Sequence, residues 1–376
     1  MGMGYNVYDT FALERWQSLR DYKAKYNLSE SGIQPPSLKE LGDLPDLELG
    51  YGNTQGSPEL RKQISSLYHA PFTEENILVT NGGAEANFLT VHSLVEPGDR
   101  VAVQMPNYMQ TVGILRGLGA KIDYMWLKGE QFQFDERSLD SIRSGTKAVF
   151  ITNPNNPTGS VLSERELHQV VDAAEEAGAH IVCDEVYRGA ELDSRPLESI
   201  VELCQKGIAT SSLSKVYGLP GLRTGWIAAT KDVVVRSWAL KDYTTISPSV
   251  VSQKIAVSVL KRHEQFVSRA KEICRRNADL FWSVRGAEDA FVKRPQKAAP
   301  FLFVKTRNIA QTSEYCERLF NETGVLINPG ECFEMPGYVR IWLGGSREEW
   351  MTDAFTRLID YTLHYERKSV PSPLQD

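Results

Sequence analysis

Nowhere does the sequence hold a run of about 18 consecutive apolar residues, so no membrane-spanning helix is expected. Basic charge is not in excess: 42 Lys and Arg against 48 Asp and Glu leave a net charge of −6, which argues against general nucleic-acid binding. The five cysteines, Cys183, Cys204, Cys274, Cys316 and Cys332, are odd in number and form no CxxC pair. Neither a disulfide framework nor a zinc site is supported, no metal is expected, and a reducing, cytoplasmic location fits best. The opening MGMGYN has Asn6 where a myristoylation signal needs Ser or Thr, so no lipid anchor is expected, nor a secretory signal peptide. Internal repeats and low-complexity stretches are absent. So is GxGxxG after the first strand, which removes a nicotinamide-linked oxidoreductase.

What is present is an α/β pattern. A chain of 376 residues is too long for one simple core and implies two domains. The first ~40 residues are aromatic and charged and end in PPSLKELGDLP, which reads as a turn-rich connection. From Asn76 onward NILVT, RVAVQM, KAVFIT, HIVCD and GIATSS read as buried strands separated by helices. Ser163 and Glu166 make a capping box, Leu167, Val170, Val171 and Ala174 recur at helical spacing, and Gly178 stands at the C-cap. Such alternation means a mostly parallel sheet. The last third differs: long helices around Ser249 to Asn277, then FLFVKT, GVLINPG and YVRIWLGG, suggest a smaller α+β domain completed by the N-terminal segment. The expected division is 1–45, 46–248 and 249–376, with the tail KSVPSPLQD expected to be disordered.

Ligands of open α/β sheets bind beyond the carboxyl ends of the strands. Five strands here end in polar or glycine-rich residues: Asn81-Gly82-Gly83-Ala84, Pro106-Asn107-Tyr108, NPNNPTG from Asn153, Asp184-Glu185-Val186-Tyr187, and Ser212-Leu213-Ser214-Lys215. Gly82-Gly83-Ala84 reads either as a tight turn or as a phosphate cradle at a helix N-terminus. Asp184 reads as a surface turn or as a carboxylate facing a pyridinium nitrogen. Asn156 and Tyr187 are either ordinary turn residues or donors to a phenolic oxygen, and Tyr108 either packs or covers a conjugated ring. Lys215 sits among small and apolar residues in SSLSKVYGLPGLRTGW. A desolvated lysine near positive charge is a nucleophile toward an aldehyde. Ser212, Ser214 and Arg223 would supply hydroxyls and a planar cation for a phosphate. Arg340 is a surface arginine or a bidentate clamp for a carboxylate.

In this order YGNTQGSPELR, TNGGAEA, NPNNPTG, DEVY, SLSKVYGLPGLRTGW and VRI resemble the class I/II aminotransferases of pyridoxal 5′-phosphate (PLP) fold type I, over roughly Tyr51 to Arg340. The resemblance implies an aspartate aminotransferase-like fold and PLP bound to Lys215 as a Schiff base. It implies that Asp184 faces the ring nitrogen, that Asn156 and Tyr187 bond the phenolic oxygen, and that Tyr108 stacks on the ring. Gly83, Ala84, Ser212 and Arg223 would hold the phosphate, where many relatives carry a hydroxyl residue in place of Gly83-Ala84. Lys215, Asp184 and Tyr187 would be catalytic. Arg340, Asn156, Gly32, Glu14 and Glu30 would contact an amino-acid substrate. The family is typically a homodimer, and Tyr51 would reach the partner's phosphate.

FALERWQ, YNLSESGIQPPSLKEL, SKVYGLPGLRTGW and KDYTTIS are also similar to the capreomycidine synthase branch, which eliminates water from a hydroxylated arginine and closes a ring. Two outcomes are therefore open: transamination, or a cyclase, lyase or oxidase reaction on arginine or a relative. The choice lies in the side-chain pocket, where Phe11, Glu14, Trp16, Asn27 and Glu30 are the candidates. A PLP-binding transcription regulator would need a DNA-binding module and a basic face, and neither is visible.

Overall fold

In the computed structural model, residues 8–42, 46–69, 71–135, 137–192 and 198–369 are described, the last four without side chains. The myristoylation reading at Gly2–Asn6, the end of the PPSLKELGDLP connection and residues 370–376 of the KSVPSPLQD tail lie outside them; Lys368 and Ser369, expected to be disordered, instead close the helix Glu348–Ser369.

The chain runs through helix α1 (Ala12–Ser18), strand β1 (Tyr26–Asn27), β2 (Ile77–Asn81), α2 (Gly83–Leu94), β3 (Arg100–Met105), β4 (Lys121–Trp126) and β5 (Thr146–Thr152). It continues through α3 (Glu164–Ala177), β6 (His180–Asp184), β7 (Gly207–Ser212), β8 (Thr224–Ala228), α4 (Val250–Leu260) and α5 (His263–Ser283). The last strands are β9 (Phe301–Lys305), β10 (Val325–Leu326), β11 (Asn328–Pro329) and β12 (Tyr338–Trp342).

Seven strands form one sheet in the order β2-β8-β7-β6-β5-β3-β4. Every pairing is parallel except those of β8, which runs against both β2 and β7. The five apolar runs read from the sequence are β2, β3, β5, β6 and β7. They are continuous because helices cover both sheet faces. Two strands of this sheet were not expected. The edge strand β4 is half-buried, and β8 is a short TGWIA segment that contains a glycine. Because β8 is reversed, its first residue lies at the edge where the other strands end: Thr224 pairs with Asn81, and Gly225 with Ser212.

Helix α3 starts and stops as read. Ser163 and Glu166 form the capping box, Leu167, Val170, Val171 and Ala174 are buried, and Gly178 is left-handed at the C-cap. The connection read as turns holds a one-turn helix, Leu38–Leu41, capped by Ser37 and Glu40. Residues 249–277 are two helices, α4 and α5, separated at Lys261 and Arg262.

β9, β11 and β12 make a three-stranded antiparallel sheet, and β1 pairs with β10 in parallel. Tyr26 and Leu28 share a hydrophobic cluster with Leu302, Val304, Ile341 and Phe355. Ile255 and Val259 of α4 and Phe266 and Ala270 of α5 belong instead to the cluster of the large sheet, with Val79, Val149 and Ile181.

Candidate active site

At the carboxyl edge of the large sheet lies a cavity of about 500 Å³. Sequence-distant loops converge there because six parallel strands release their chains on the same side, and reversed β8 adds a seventh.

The end of β2 turns at Gly82, whose φ of +80° suits glycine, and helix α2 begins at Gly83. A Cβ at Gly82 would run into the Arg223 guanidinium, so the glycine makes room for the cation. Arg223 donates to the carbonyls of Pro220 and Asn81, and no carboxylate is in ion-pair contact with it among the described residues. The start of a twelve-residue helix, this arginine and the Ser212 and Ser214 hydroxyl groups thus border one end of the cavity. That end has the chemistry to hold a phosphate.

Asp184, at the end of β6, lines the cavity. Its Oδ2 accepts from Asn87 Nδ2 at 3.0 Å and its Oδ1 from the Val186 amide at 3.1 Å. Burial raises its pKa, while these two donors and the Lys215 charge act in the opposite direction. Lys215 Nζ donates to Ser31 Oγ at 2.7 Å. Burial, and then the charge of Arg340, lower the lysine pKa against the opposing charges of Glu30, Glu14 and Asp184. Tyr187 is fully buried, lines the cavity and donates to the Ser31 carbonyl at 3.0 Å. Tyr108 donates to Glu14 Oε1 at 2.7 Å, with its ring tilted against Phe11 at 5.1 Å.

Arg340 on β12 is 1% exposed. It donates to Asn156 Oδ1 at 2.8 Å and to the Ser29 carbonyl at 3.0 Å, and its guanidinium carbon lies 5.2 Å and 5.1 Å from the ring centroids of Phe301 and Phe333. Its Nε has no partner, and no carboxylate pairs with it among the described residues. A buried guanidinium with donors to spare suits an incoming carboxylate.

Lys215, Asp184, Tyr187, Gly83, Ala84, Tyr108, Asn156, Ser212, Ser214, Arg223 and Glu14 all line the cavity. Arg340 reaches it through Asn156. Gly32 lies behind the lysine loop, where a Cβ would sit 2.8 Å from the Ser214 carbonyl oxygen, and Ile33 donates to the Lys215 carbonyl. Glu30 is exposed and is not in the lining. Trp16 donates to the Ile327 carbonyl, across to the C-terminal part of the chain, and Asn27 Oδ1 accepts from Ser29; neither is in the cavity lining. Tyr51 is 75% exposed and stands outside this chain's cavity.

Sequence reading missed Asn87, Gln110, Thr152 and Ser31. The first three line the cavity and Ser31 holds the lysine amine. For Asn87 a signal existed: an amide among Ala86, Leu89, Val91 and Leu94 on a buried helix is the informative kind of exception.

A buried carboxylate, an amine with a depressed pKa and an anion cradle in one cavity fit a pyridine aldehyde phosphate such as PLP. Comparison with known proteins points to the same group. A sequence-family model described as aminotransferase class I and II matches residues 36–358. Capreomycidine synthase of Streptomyces vinaceus is 28% identical over 365 residues, 93% of each chain. A PLP-dependent aminotransferase structure from Streptococcus suis has a TM-score of 0.88 at 32% identity, covering 97% of this chain and 99% of that one. A PLP-dependent cyclase structure has a TM-score of 0.86 at 26% identity, covering 96% and 99%.

Proposed function

The chain belongs to the class I and II aminotransferases, a PLP-dependent enzyme family, and on that premise we propose that it transaminates an L-amino acid at the cavity around Lys215. The observation that carries this reading is that Lys215 and Asp184 line the same cavity, one as a buried amine and the other as a buried carboxylate. PLP, when bound, supplies an aldehyde for the substrate amine and a protonated ring that withdraws electrons from the substrate Cα. Gly83, Ala84, Ser212, Ser214 and Arg223 would hold its phosphate. Asp184 would face its ring nitrogen and favour a proton there. Asn156 and Tyr187 would bond its phenolic oxygen, and Tyr108 would cover the ring. Lys215 Nζ would be the amine that anchors it and, when free, the base for the substrate Cα proton. Its depressed pKa favours the neutral amine that both tasks require. Arg340 grips the substrate α-carboxylate beside Asn156.

For assembly we propose a homodimer in which Tyr51 reaches the partner's phosphate; its 75% exposure leaves it free to do so. We also propose that residues 1–45 and 249–376 form a small domain against a large one of 46–248. The β1–β10 pairing supports that grouping, with α4 and the first half of α5 as a connecting piece on the large sheet. A cytoplasmic setting is proposed from five cysteines that are all buried and free. No described helix is long and apolar enough to cross a membrane.

A second reading has its own observation. Glu14 puts a carboxylate into the cavity lining with no cationic partner among the described residues. That suits an arginine-like side chain and a cyclase, lyase or oxidase outcome. One experiment separates the two. The PLP-loaded enzyme is mixed with amino donors and no acceptor, and the spectrum is followed. Transamination predicts stoichiometric conversion to pyridoxamine phosphate, reversed by a keto acid at catalytic rates. Failure with every common amino acid, together with a cyclised or oxidised product from arginine or hydroxyarginine, would replace it with the second reading.

A further inference from the structure

Asp184 is the group on which the proposed chemistry leans, yet a desolvated carboxylate tends to take up a proton and become neutral. Its side-chain hydrogen-bond partner is Asn87, 97 positions earlier, on helix α2. An amide can turn either its oxygen or its nitrogen toward a neighbour, and the two faces have opposite effects on a carboxylate. The ionised carboxylate can only accept, so it takes the NH2 face, and Thr210, a fully buried residue of β7, supports that orientation from the other side. Its Oγ1 donates to Asn87 Oδ1 at 2.7 Å, so the amide oxygen is occupied. The NH2 is left for Asp184 Oδ2 at 3.0 Å, with Gln110 Oε1 at 3.3 Å as its other acceptor.

We propose that Asn87, locked by Thr210, is a positioning residue that holds the Asp184 carboxylate charged and oriented at the cavity wall. The idea rests on Asp184 facing the ring nitrogen of PLP, as argued above. Removing the amide would leave the carboxylate with the Val186 N–H as its hydrogen-bond donor. Other titratable groups that feel Asp184 are Lys215 and Tyr187 beside it, Tyr108 after β3 and Cys183 on its own strand. None of them is altered by changing Asn87 or Thr210.

The test uses holoenzyme loaded with PLP carrying ¹⁵N in its ring. The ring-nitrogen resonance reports its protonation across pH, and steady-state kinetics run in parallel. Asn87→Leu should lower the pH at which the ring nitrogen loses its proton by about one unit or more, for the loss of a hydrogen bond to a charged group, and Thr210→Val, which removes the bond to the neutral Asn87 amide, should lower it in the same direction by less. The same loss should lower kcat about 10- to 100-fold in Asn87→Leu. Thr210→Ser keeps the hydroxyl and should behave as the native protein. A native-like titration in either Asn87→Leu or Thr210→Val overturns the proposal, and so does Thr210→Ser as impaired as Thr210→Val. If Asn87→Leu fails to fold, the nearly isosteric Thr210→Val decides alone. Asp184→Ala is the control for the underlying reading. If it also keeps the ring proton, then Asp184 does not face the nitrogen, and that reading fails rather than this one.

Discussion

Arg340 Nη1 lies 2.8 Å from Asn156 Oδ1, so a strand of the three-stranded sheet is tied to the loop that leaves β5 of the seven-stranded one. Asn156 lines the cavity, and Arg340 stands behind it with an orphan Nε and with the Phe301 and Phe333 rings beside its guanidinium. The site is therefore assembled between two sheets, and the contact that joins them is one the substrate carboxylate would share.

Arg340→Lys retains the charge but loses the planar fork and the donor to the Ser29 carbonyl. Loss of charge-assisted hydrogen bonds should raise KM for amino acids by roughly 10-fold or more while PLP affinity stays put. Steady-state kinetics and a spectral PLP titration measure the two. An unchanged KM would mean that the carboxylate binds elsewhere.

Lys215 should carry the cofactor covalently. Borohydride treatment of the loaded enzyme, followed by peptide mapping, should find the pyridoxyl label on the peptide containing Lys215. Label on any other lysine removes the central assignment. Lys215→Ala should lose steady turnover, because it removes both the anchoring amine and the base.

Burial raises the folded-state pKa of Asp184 above its unfolded value. Below the unfolded value both states are protonated and the residue is neutral to stability. As pH rises through the window between the two values, the unfolded chain ionises first, and the carboxylate increasingly destabilises the fold. Asp184→Asn should therefore stabilise the cofactor-free protein more at pH 8 than at pH 4. Thermal unfolding of both proteins across pH reads this directly, and a difference that shrinks as pH rises would contradict it.

Tyr51 should act across an interface. Sedimentation should find a homodimer, and Tyr51→Phe should weaken PLP binding without dissociating it. A monomer that is fully active at high dilution would refute the shared site.

Much of the scaffold was legible in the chain. Strands β2, β3, β5, β6 and β7 show as apolar runs because both of their faces are covered, and α3 shows through Ser163, Glu166 and Gly178. β4 was not legible because an edge strand is only half-buried, nor was β8, whose five residues include Gly225. Lys215, Asp184 and Asn156 stood out as polar residues just beyond buried strands. Asn87 showed only as an amide among the apolar residues of a buried helix, which says that it has a partner but not which one, and Ser31 did not show at all, because nothing local distinguishes a serine in a loop that has a distant partner.

By itself the sequence determined which chemical groups stand at the strand ends and in what order, since local patterning sets where a strand stops. Only the tertiary structure decided what those groups meet. The reversal of β8 brings Arg223 to Gly82, and the docking of α2 on the sheet sets Asn87 between Thr210, 123 positions away, and Asp184, 97 away. Hydrogen bonds act over about 3 Å, and separations of that length along the chain close only when helix and sheet are packed together.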